Sequence, residues 1–192
     1  VQAAVRTAAL MAAPTHNTQI AIAGAGAVAA AVAVAAGGHA SVDDLVDAGI
    51  EGARTGEALG LRQGREVAGA SVARRIGEAA RIGGAASDIW TAMDDLSELI
   101  GSGLPTVEAV PAAFGMIVAA RGDVQQAVIG AVNMGNDADT VATIVGAVTA
   151  TRAGIDAVPR EWVDLVQRAN QITFRTLAER MARASQQVKN AQ

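Results

Sequence analysis

The run from Ile20 to Gly38 constrains the fold most strongly, because it contains no charged or strongly polar residue. A helix that spans a membrane needs roughly 20 apolar residues, and this run approaches that length. Its residues are mainly alanine and glycine, however, and it lacks leucine, phenylalanine and the aromatic residues that anchor helices at a membrane surface. The run therefore predicts a helix buried at the centre of a helical bundle, without membrane insertion.

The remainder of the chain indicates the same fold class. Apolar residues make up 51% of the 192 residues, yet the chain has only two Trp, two Phe and no Tyr. A core built mostly from Ala, Val, Ile and Leu requires helices that approach closely. No stretch of convincing length alternates as a strand would, and neither a repeat nor an interdomain linker is visible. We expect an all-α fold that forms a single domain over residues 1–192.

Capping and turn residues predict where the helices begin and end. Pro14 ends an opening helix near Ala13, because the residue before a proline avoids the α region. Thr15 or Asn17 is predicted to cap the next helix, which runs to about Ala36. Later helices are predicted to begin at Ser41, Ser87-Asp88, Thr106 and Val124, and an arginine-bearing helix is predicted to break at Gly83-Gly84. Residues 101–105 are predicted to form a loop. One long helix is predicted to run from Pro159 to a polar tail at Ser185.

Charge and cysteine content exclude several functions. The net charge of −4 argues against a general affinity for DNA or RNA, which requires clustered basic residues. The absence of cysteine excludes a disulfide framework, a thiolate nucleophile and a cysteine zinc site. No signal peptide is recognisable, which predicts a cytoplasmic protein. The one basic-leaning stretch is interrupted by Glu66 and Glu78 and is interpreted as a solvated helix face: Arg62, Arg65, Arg74, Arg75 and Arg81.

The segment from Asp137 to Val141 is the most informative for function. It places two carboxylates and a hydroxyl, Asp137, Asp139 and Thr140, within four residues, and such hard oxygen donors are preferred by divalent cations. Residues two apart in a helix point about 200° from each other, so both acids can serve one ion only from a turn before a helix. Gly135 would permit that turn, with Asp139 or Thr140 as N-cap. On spacing alone, capping by both acids stays open as an alternative.

Two other Asp-x-Asp motifs compete with this interpretation. An EF-hand requires a glutamate at its twelfth position, which here is Val148, so an EF-hand is excluded. The pattern also matches the nucleophile motif of haloacid-dehalogenase-type phosphatases, which ends a buried parallel strand. The preceding residues 126–134 are predicted to be helical and no strands are available for a sheet, which disfavours that motif.

A third match is closer. The segment Gly135-Asn136-Asp137-Ala138-Asp139-Thr140-Val141-Ala142 resembles the C-terminal signature of the ADP-ribosylglycohydrolase family, typically Gly-Gly-Asp-Thr-Asp-Thr-x-Ala. The match is specific because four separated segments agree in the family's order. The other three are Thr15-His16-Asn17, Gly101-Ser102-Gly103 followed by residues 108–113, and Val158-Pro159 with Trp162.

This resemblance implies an orthogonal multi-helix bundle that uses two magnesium ions, or manganese in some members. It implies hydrolysis of the glycosidic bond of an ADP-ribosyl or related ribosyl group, carried by a protein or a small compound. By position, Asp137, Asp139 and Thr140 match metal ligands. His16 matches a residue near bound ADP-ribose, and Gly101-Ser102-Gly103 matches a substrate loop whose backbone amides could meet phosphate oxygens.

The sequence also departs from the family pattern. Asn136 replaces the second glycine, and Ala138 replaces a threonine. The family's N-terminal Thr-Asp-Asp cluster and lid glutamate have no counterpart, and the chain begins at Val1 rather than methionine. We therefore expect the C-terminal part of an enzyme that needs an N-terminal half or a partner chain, and the catalytic residue stays unassigned. Hydrolysis of another N-riboside, such as a nucleoside, and a non-catalytic relative are the alternatives.

Overall fold

The computed structural model describes residues 1–190, and within them it confirms the all-α prediction. The only β-type pairing in that part of the chain is an isolated bridge between Thr18 and Arg65. The helices are α1 (Gln2–Ala12), α2 (Gln19–Ala35), α3 (Val42–Gln63), α4 (Val72–Ala85), α5 (Ile89–Leu99), α6 (Thr106–Ala119), α7 (Val124–Asn133), α8 (Ala138–Ala153), a 3-10 turn (Ile155–Ala157), α9 (Arg160–Asn170) and α10 (Phe174–Asn190).

The chain divides into two compact units, Val1–Ala157 and the segment from Val158 onward. In the second unit, the prediction of one long helix from Pro159 is wrong. Gln171 adopts a left-handed φ of 54° and ends α9. The side chain of Gln167 then accepts a hydrogen bond from the Phe174 amide at 2.9 Å, which starts α10. A single domain over residues 1–192 stays a prediction.

Helix α2 lies at the centre of the first unit, as the uncharged run predicts. Its alanines at positions 27, 30, 31 and 35 are fully buried. Its partner is α3, and a Cβ placed on Gly52 would collide with the carbonyl oxygen of Gly26. The two helix backbones are thus in direct contact, which only small residues permit. None of the helices in residues 1–190 is long and apolar enough to cross a bilayer.

Helix α6 forms the second axis of the core. Its residues from Ala109 to Ile117 are buried, including Phe114, which is fully enclosed. It begins at Thr106, as predicted, immediately after the loop of residues 101–105. The N-terminal end of α6 therefore carries the predicted substrate loop, and its C-terminal end lies roughly 20 Å away, at 1.5 Å per residue.

Local capping predictions are partly confirmed. Ser41 and Asp44 form a capping box at the start of α3, and Asp88 caps α5. The cap of α2 is Thr18, whose side chain accepts from the Ala21 amide at 3.2 Å, so the prediction of Thr15 or Asn17 is wrong. Gly83-Gly84 lies in the last turn of α4, which ends at Ala85, so the predicted break of this helix is confirmed to within one residue.

The arginine stretch is not one solvated helix face. Helix α3 ends at Gln63, and residues 64–71 separate it from α4. Arg75 is half-buried and donates hydrogen bonds to the carbonyl oxygen of Val107, at 2.6 Å, and to that of Ile100. This arginine ties α4 to both sides of the loop that precedes α6, so it is a structural residue.

Candidate metal and substrate site

The predicted metal motif starts α8. The helix begins at Ala138, with Asp137 at the N-cap position, so the prediction that Asp139 or Thr140 is the N-cap is wrong. Asp137 is half-buried, while Asp139 and Thr140 are exposed in the first helical turn. The Asp137 side chain makes no capping hydrogen bond to the helix. Its carboxylate is therefore available to a ligand, and simple capping does not account for it.

The turn before α8 explains the asparagine that departs from the family signature. Gly135 and Asn136 both have a positive φ, 74° and 51° respectively. Glycine adopts this left-handed region freely, and asparagine tolerates it better than most other residues. Asn136 is thus a residue type that tolerates the positive φ found where the family pattern has its second glycine.

Ser102 joins the predicted substrate loop to this turn. Its carbonyl oxygen accepts a hydrogen bond from the Asp137 amide at 3.0 Å. Its hydroxyl accepts from the side-chain amide of Asn136 at 3.2 Å, and it lies 3.5 Å from the carbonyl oxygens of Met134 and Gly135. Ser102 is completely buried. Two segments separated by 34 residues in sequence therefore form one local structure.

The glycines of the loop surround the carboxylate of Glu108. Gly103 donates its amide to Oε2 of Glu108 at 3.0 Å. A Cβ at Gly101 would lie 2.6 Å from the same oxygen, and one at Gly103 would lie 2.8 Å away, so neither position accepts a larger residue without displacing the carboxylate. Gly101 also has a φ of 88°. The Gly-x-Gly pattern thus has a structural cause, which is the close approach of the loop to Glu108.

This arrangement limits how the loop can bind a phosphate group. The Gly101 amide donates to the carbonyl oxygen of Leu96 at 2.9 Å, and the Gly103 amide is bonded to Glu108. In the loop of residues 101–105, the amides of Ser102 and Leu104 have no hydrogen-bond partner. Ser102 is completely buried and Leu104 is exposed, so any phosphate contact by the loop backbone falls on the Leu104 amide.

His16 lines an open groove of about 300 Å³ next to these elements. Thr106, at the start of α6, and Ile144, on α8, line the same groove. Ile144 follows Thr140 by four residues, so the two lie on one face of the helix. The His16 ring is exposed, and its Nδ1 lies 2.9 Å from the hydroxyl of Thr15. His16 is the one predicted site residue in the groove lining, which includes neither the predicted metal ligands nor Gly101-Ser102-Gly103.

The donor set fits part of a magnesium site. Asp137, Asp139 and Thr140 offer the hard oxygen ligands that magnesium prefers. Magnesium takes octahedral coordination, so these three residues do not complete its ligand sphere. In residues 1–190, no group of three or more His, Cys, Asp and Glu side chains could hold a metal ion. The residues match a cation in chemistry, but further ligands must come from water, substrate or another polypeptide segment.

A larger cavity of about 540 Å³ lies at the opposite end of α6. Trp90, Arg121 and Gln126 contribute to its lining, together with the end of α4. It contains none of the predicted site residues. The sequence patterns do not indicate this cavity, because its lining comes from four helices that meet only in the tertiary structure.

Comparison with known proteins agrees with the fold and with the ordered motifs. The model of the family described as ADP-ribosylglycohydrolase matches residues 1–191. The chain belongs to the ADP-ribosylglycohydrolase family. This family member is also similar to the uncharacterized protein YegU of Escherichia coli (strain K12), with 28% identity over 179 residues.

That alignment covers 93% of this chain and 52% of YegU, so the chain spans about half the length of the curated relative that it matches. No solved structure matches the chain significantly. Family membership confirms the predicted resemblance. The roles of His16, Asp137, Asp139, Thr140 and the Gly101-Ser102-Gly103 loop stay predictions.

Proposed function

We propose that this chain supplies one side of the active site of a metal-dependent glycohydrolase. The complete enzyme would cleave the glycosidic bond of an ADP-ribosyl group, or of a related ribosyl group, on a protein or a small compound. An N-terminal half or a partner chain would supply the remaining metal ligands. A cytoplasmic location and the absence of nucleic-acid binding stay predictions from the sequence.

One observation carries this proposal: the predicted substrate loop and the predicted metal motif, which are far apart in sequence, are bonded to each other. The loop at Ser102 is bonded to the turn that leads into Asp137. His16 lines a groove with Thr106 and with Ile144, one helical turn after Thr140. Convergence of this kind is expected if the motifs serve one ligand, whereas separate helix caps have no reason to meet.

Each group has a role that follows from its position. Asp137, Asp139 and Thr140 would bind cations through side-chain oxygens that the described part of the fold does not otherwise use. His16 would line the substrate through the ring edge that does not contact Thr15. When bound, magnesium or manganese would orient ribose hydroxyls, polarise the sugar and lower the pKa of a water molecule.

Product analysis on the full natural protein that carries this sequence tests the proposal. ADP-ribosylated protein, ADP-ribosyl-arginine and free nucleosides are each incubated with magnesium, and released ADP-ribose or base is quantified. Release of ADP-ribose that is abolished by EDTA supports the proposal. Release of base from nucleosides alone would favour the N-riboside alternative. No metal-dependent release from any of the three substrates would contradict the enzyme assignment and favour a non-catalytic relative.

Asp139→Ala and Asp43→Ala form a matched pair for that assay. Both are exposed acids in the first turn of a helix, so both substitutions remove the same favourable interaction with the helix dipole. Asp139→Ala is expected to abolish metal-dependent release, whereas Asp43→Ala leaves it unchanged. Equal activity of the two variants would remove Asp139 from the proposed site.

A further inference from the structure

The contacts of Ser102 point to a role different from substrate binding by its side chain. Its exposed fraction is 0%, so the hydroxyl cannot reach a ligand in the groove. The hydroxyl is instead surrounded by the turn before α8, with Asn136 as donor at 3.2 Å. The carbonyl of the same residue holds the amide of Asp137 at 3.0 Å. Ser102 therefore contacts the metal motif through both its side chain and its backbone.

The turn needs such support because its backbone conformation is unusual. Gly135 and Asn136 both adopt the left-handed backbone conformation, and the side chain of Asp137, the N-cap residue of α8, makes no capping hydrogen bond. Without a capping bond, the orientation of Asp137 depends on how the preceding turn is held. The contacts described for that turn come from Ser102, and Ser102 itself is fixed by its neighbours, whose amides are bonded to Leu96 and Glu108.

We propose that Ser102 is a positioning residue that holds the Gly135-Asn136 turn and thereby aligns Asp137 and Asp139 for cation binding. Asn136 is its partner in this role, since its side-chain amide closes the contact from the α8 side. This inference rests on the proposed function, because it assumes that the two acids bind a divalent cation. It links the substrate loop to the metal motif, so a displacement of the loop would also change metal affinity.

Two conservative substitutions isolate the contact. Ser102→Ala removes only the hydroxyl, and Asn136→Gly removes the amide while keeping a residue that adopts a positive φ freely. Loss of one hydrogen bond corresponds to about a threefold to tenfold change in an equilibrium constant. Each variant should therefore weaken Mn²⁺ binding by about that factor. The double variant should be little weaker than either single variant, because both remove the same bond.

Matched controls separate positioning from general stability. Ser97→Ala removes a hydroxyl and Asn133→Ala removes a side-chain amide, as the two test variants do, at positions nearby in sequence. The Asn133 amide bonds within α7 and Ser97 makes no described side-chain hydrogen bond, so neither control alters the contact between Ser102 and Asn136. Ile117→Val weakens the core at the far end of α6 and lowers the unfolding temperature. None of these three variants should change Mn²⁺ affinity.

The experiment is titration of Mn²⁺ into the full natural protein by calorimetry, with hydrogen exchange at the Asp137 amide as a local readout. Ser102→Ala and Asn136→Gly should both lower the affinity and accelerate exchange at Asp137. If Ser102→Ala does not fold, Asn136→Gly, which lies at an exposed position, decides the matter. Asp139→Ala serves as the reference for loss of a metal ligand.

The possible failures are distinguishable. If Asp139→Ala abolishes binding while Ser102→Ala and Asn136→Gly bind Mn²⁺ as tightly as the unaltered protein, the positioning role is wrong and the proposed function stands. If Asp139→Ala also binds normally, the proposed metal site is wrong, and the positioning inference is refuted with it. A loss of affinity in Ile117→Val equal to that in Ser102→Ala would show a general stability effect and would also refute the inference.

Discussion

Replacement of Gly52 by alanine tests the central contact of the fold. The added Cβ would meet the carbonyl oxygen of Gly26 and the Cβ of Ala30, both on α2. A flexible side chain could move away, but a helix backbone moves only if α2 and α3 separate. Overpacking of this kind costs about 3 kcal/mol at the upper end of its usual range. Alanine regains about 1 kcal/mol of helix propensity over glycine, which leaves a net loss of about 2 kcal/mol.

Gly77→Ala is the matched control, because the same substitution is made inside α4. There the nearest atom to the new Cβ is Cδ1 of Ile50 at 3.9 Å, which is an ordinary contact. Without a steric cost, only the higher helix propensity of alanine contributes, so Gly77→Ala should stabilise the protein by about 0.5–1 kcal/mol. The two variants thus differ in sign although their chemistry is identical.

Thermal and urea unfolding followed by circular dichroism measures both variants. For a chain of this length, a loss of about 2 kcal/mol lowers the unfolding temperature by roughly 4–8 °C. Gly52→Ala is expected to show that decrease, and Gly77→Ala a small increase. A Gly52→Ala protein as stable as the unaltered one would refute direct backbone contact between α2 and α3.

Three further predictions concern the site and the helix caps. Asp139→Ala should lower the Mg²⁺ or Mn²⁺ affinity of the full natural protein at least tenfold by calorimetry, because even loss of a group that supports a metal ligand costs about 10–100-fold; unchanged affinity would remove Asp139 from the ligand set. The isolated 192 residues should release no ADP-ribose with magnesium, because they supply only part of the ligand sphere; robust release would show that the site is complete as it stands. Hydrogen bonds from Ser41 lower the pKa of Asp44 below its ordinary value of 3.8, so this interaction stabilises the folded state at neutral pH and is lost as the pH falls through the lowered pKa. The stability difference between the unaltered protein and Ser41→Ala should therefore narrow on acidification, and a difference that widens would contradict this assignment.

Interactions between neighbours in the chain could be predicted from the sequence. Ser41 and Asp88 start their helices because a side-chain oxygen meets amides two or three residues later. The buried position of α2 followed from the absence of polar residues from Ile20 to its end at Ala35. The family followed from four short motifs in a fixed order, and the family match over residues 1–191 confirms it.

Other features depend on partners that are distant in sequence. Gly83 packs against the backbone of α6, and Arg75 is half-buried because it bonds to carbonyl oxygens beside the loop before α6. A charged residue is exposed on average, and tertiary contacts override that preference for Arg75. The break between α9 and α10 at Gln171 could not be predicted from the sequence, because no glycine or proline occurs there.

The candidate site also has some features that the sequence predicts and others that only the tertiary structure sets. By itself, the sequence determined the helical class, the central small-residue helix and the candidate donors Asp137, Asp139 and Thr140, because residue type and short spacing carry that information. Only the tertiary structure decided that Asp137 leaves its carboxylate free, that the Ser102 hydroxyl belongs to the turn before α8, and that two loop amides are already bonded. These facts depend on which atoms approach across the helix interfaces, and that proximity is set by packing of the whole bundle.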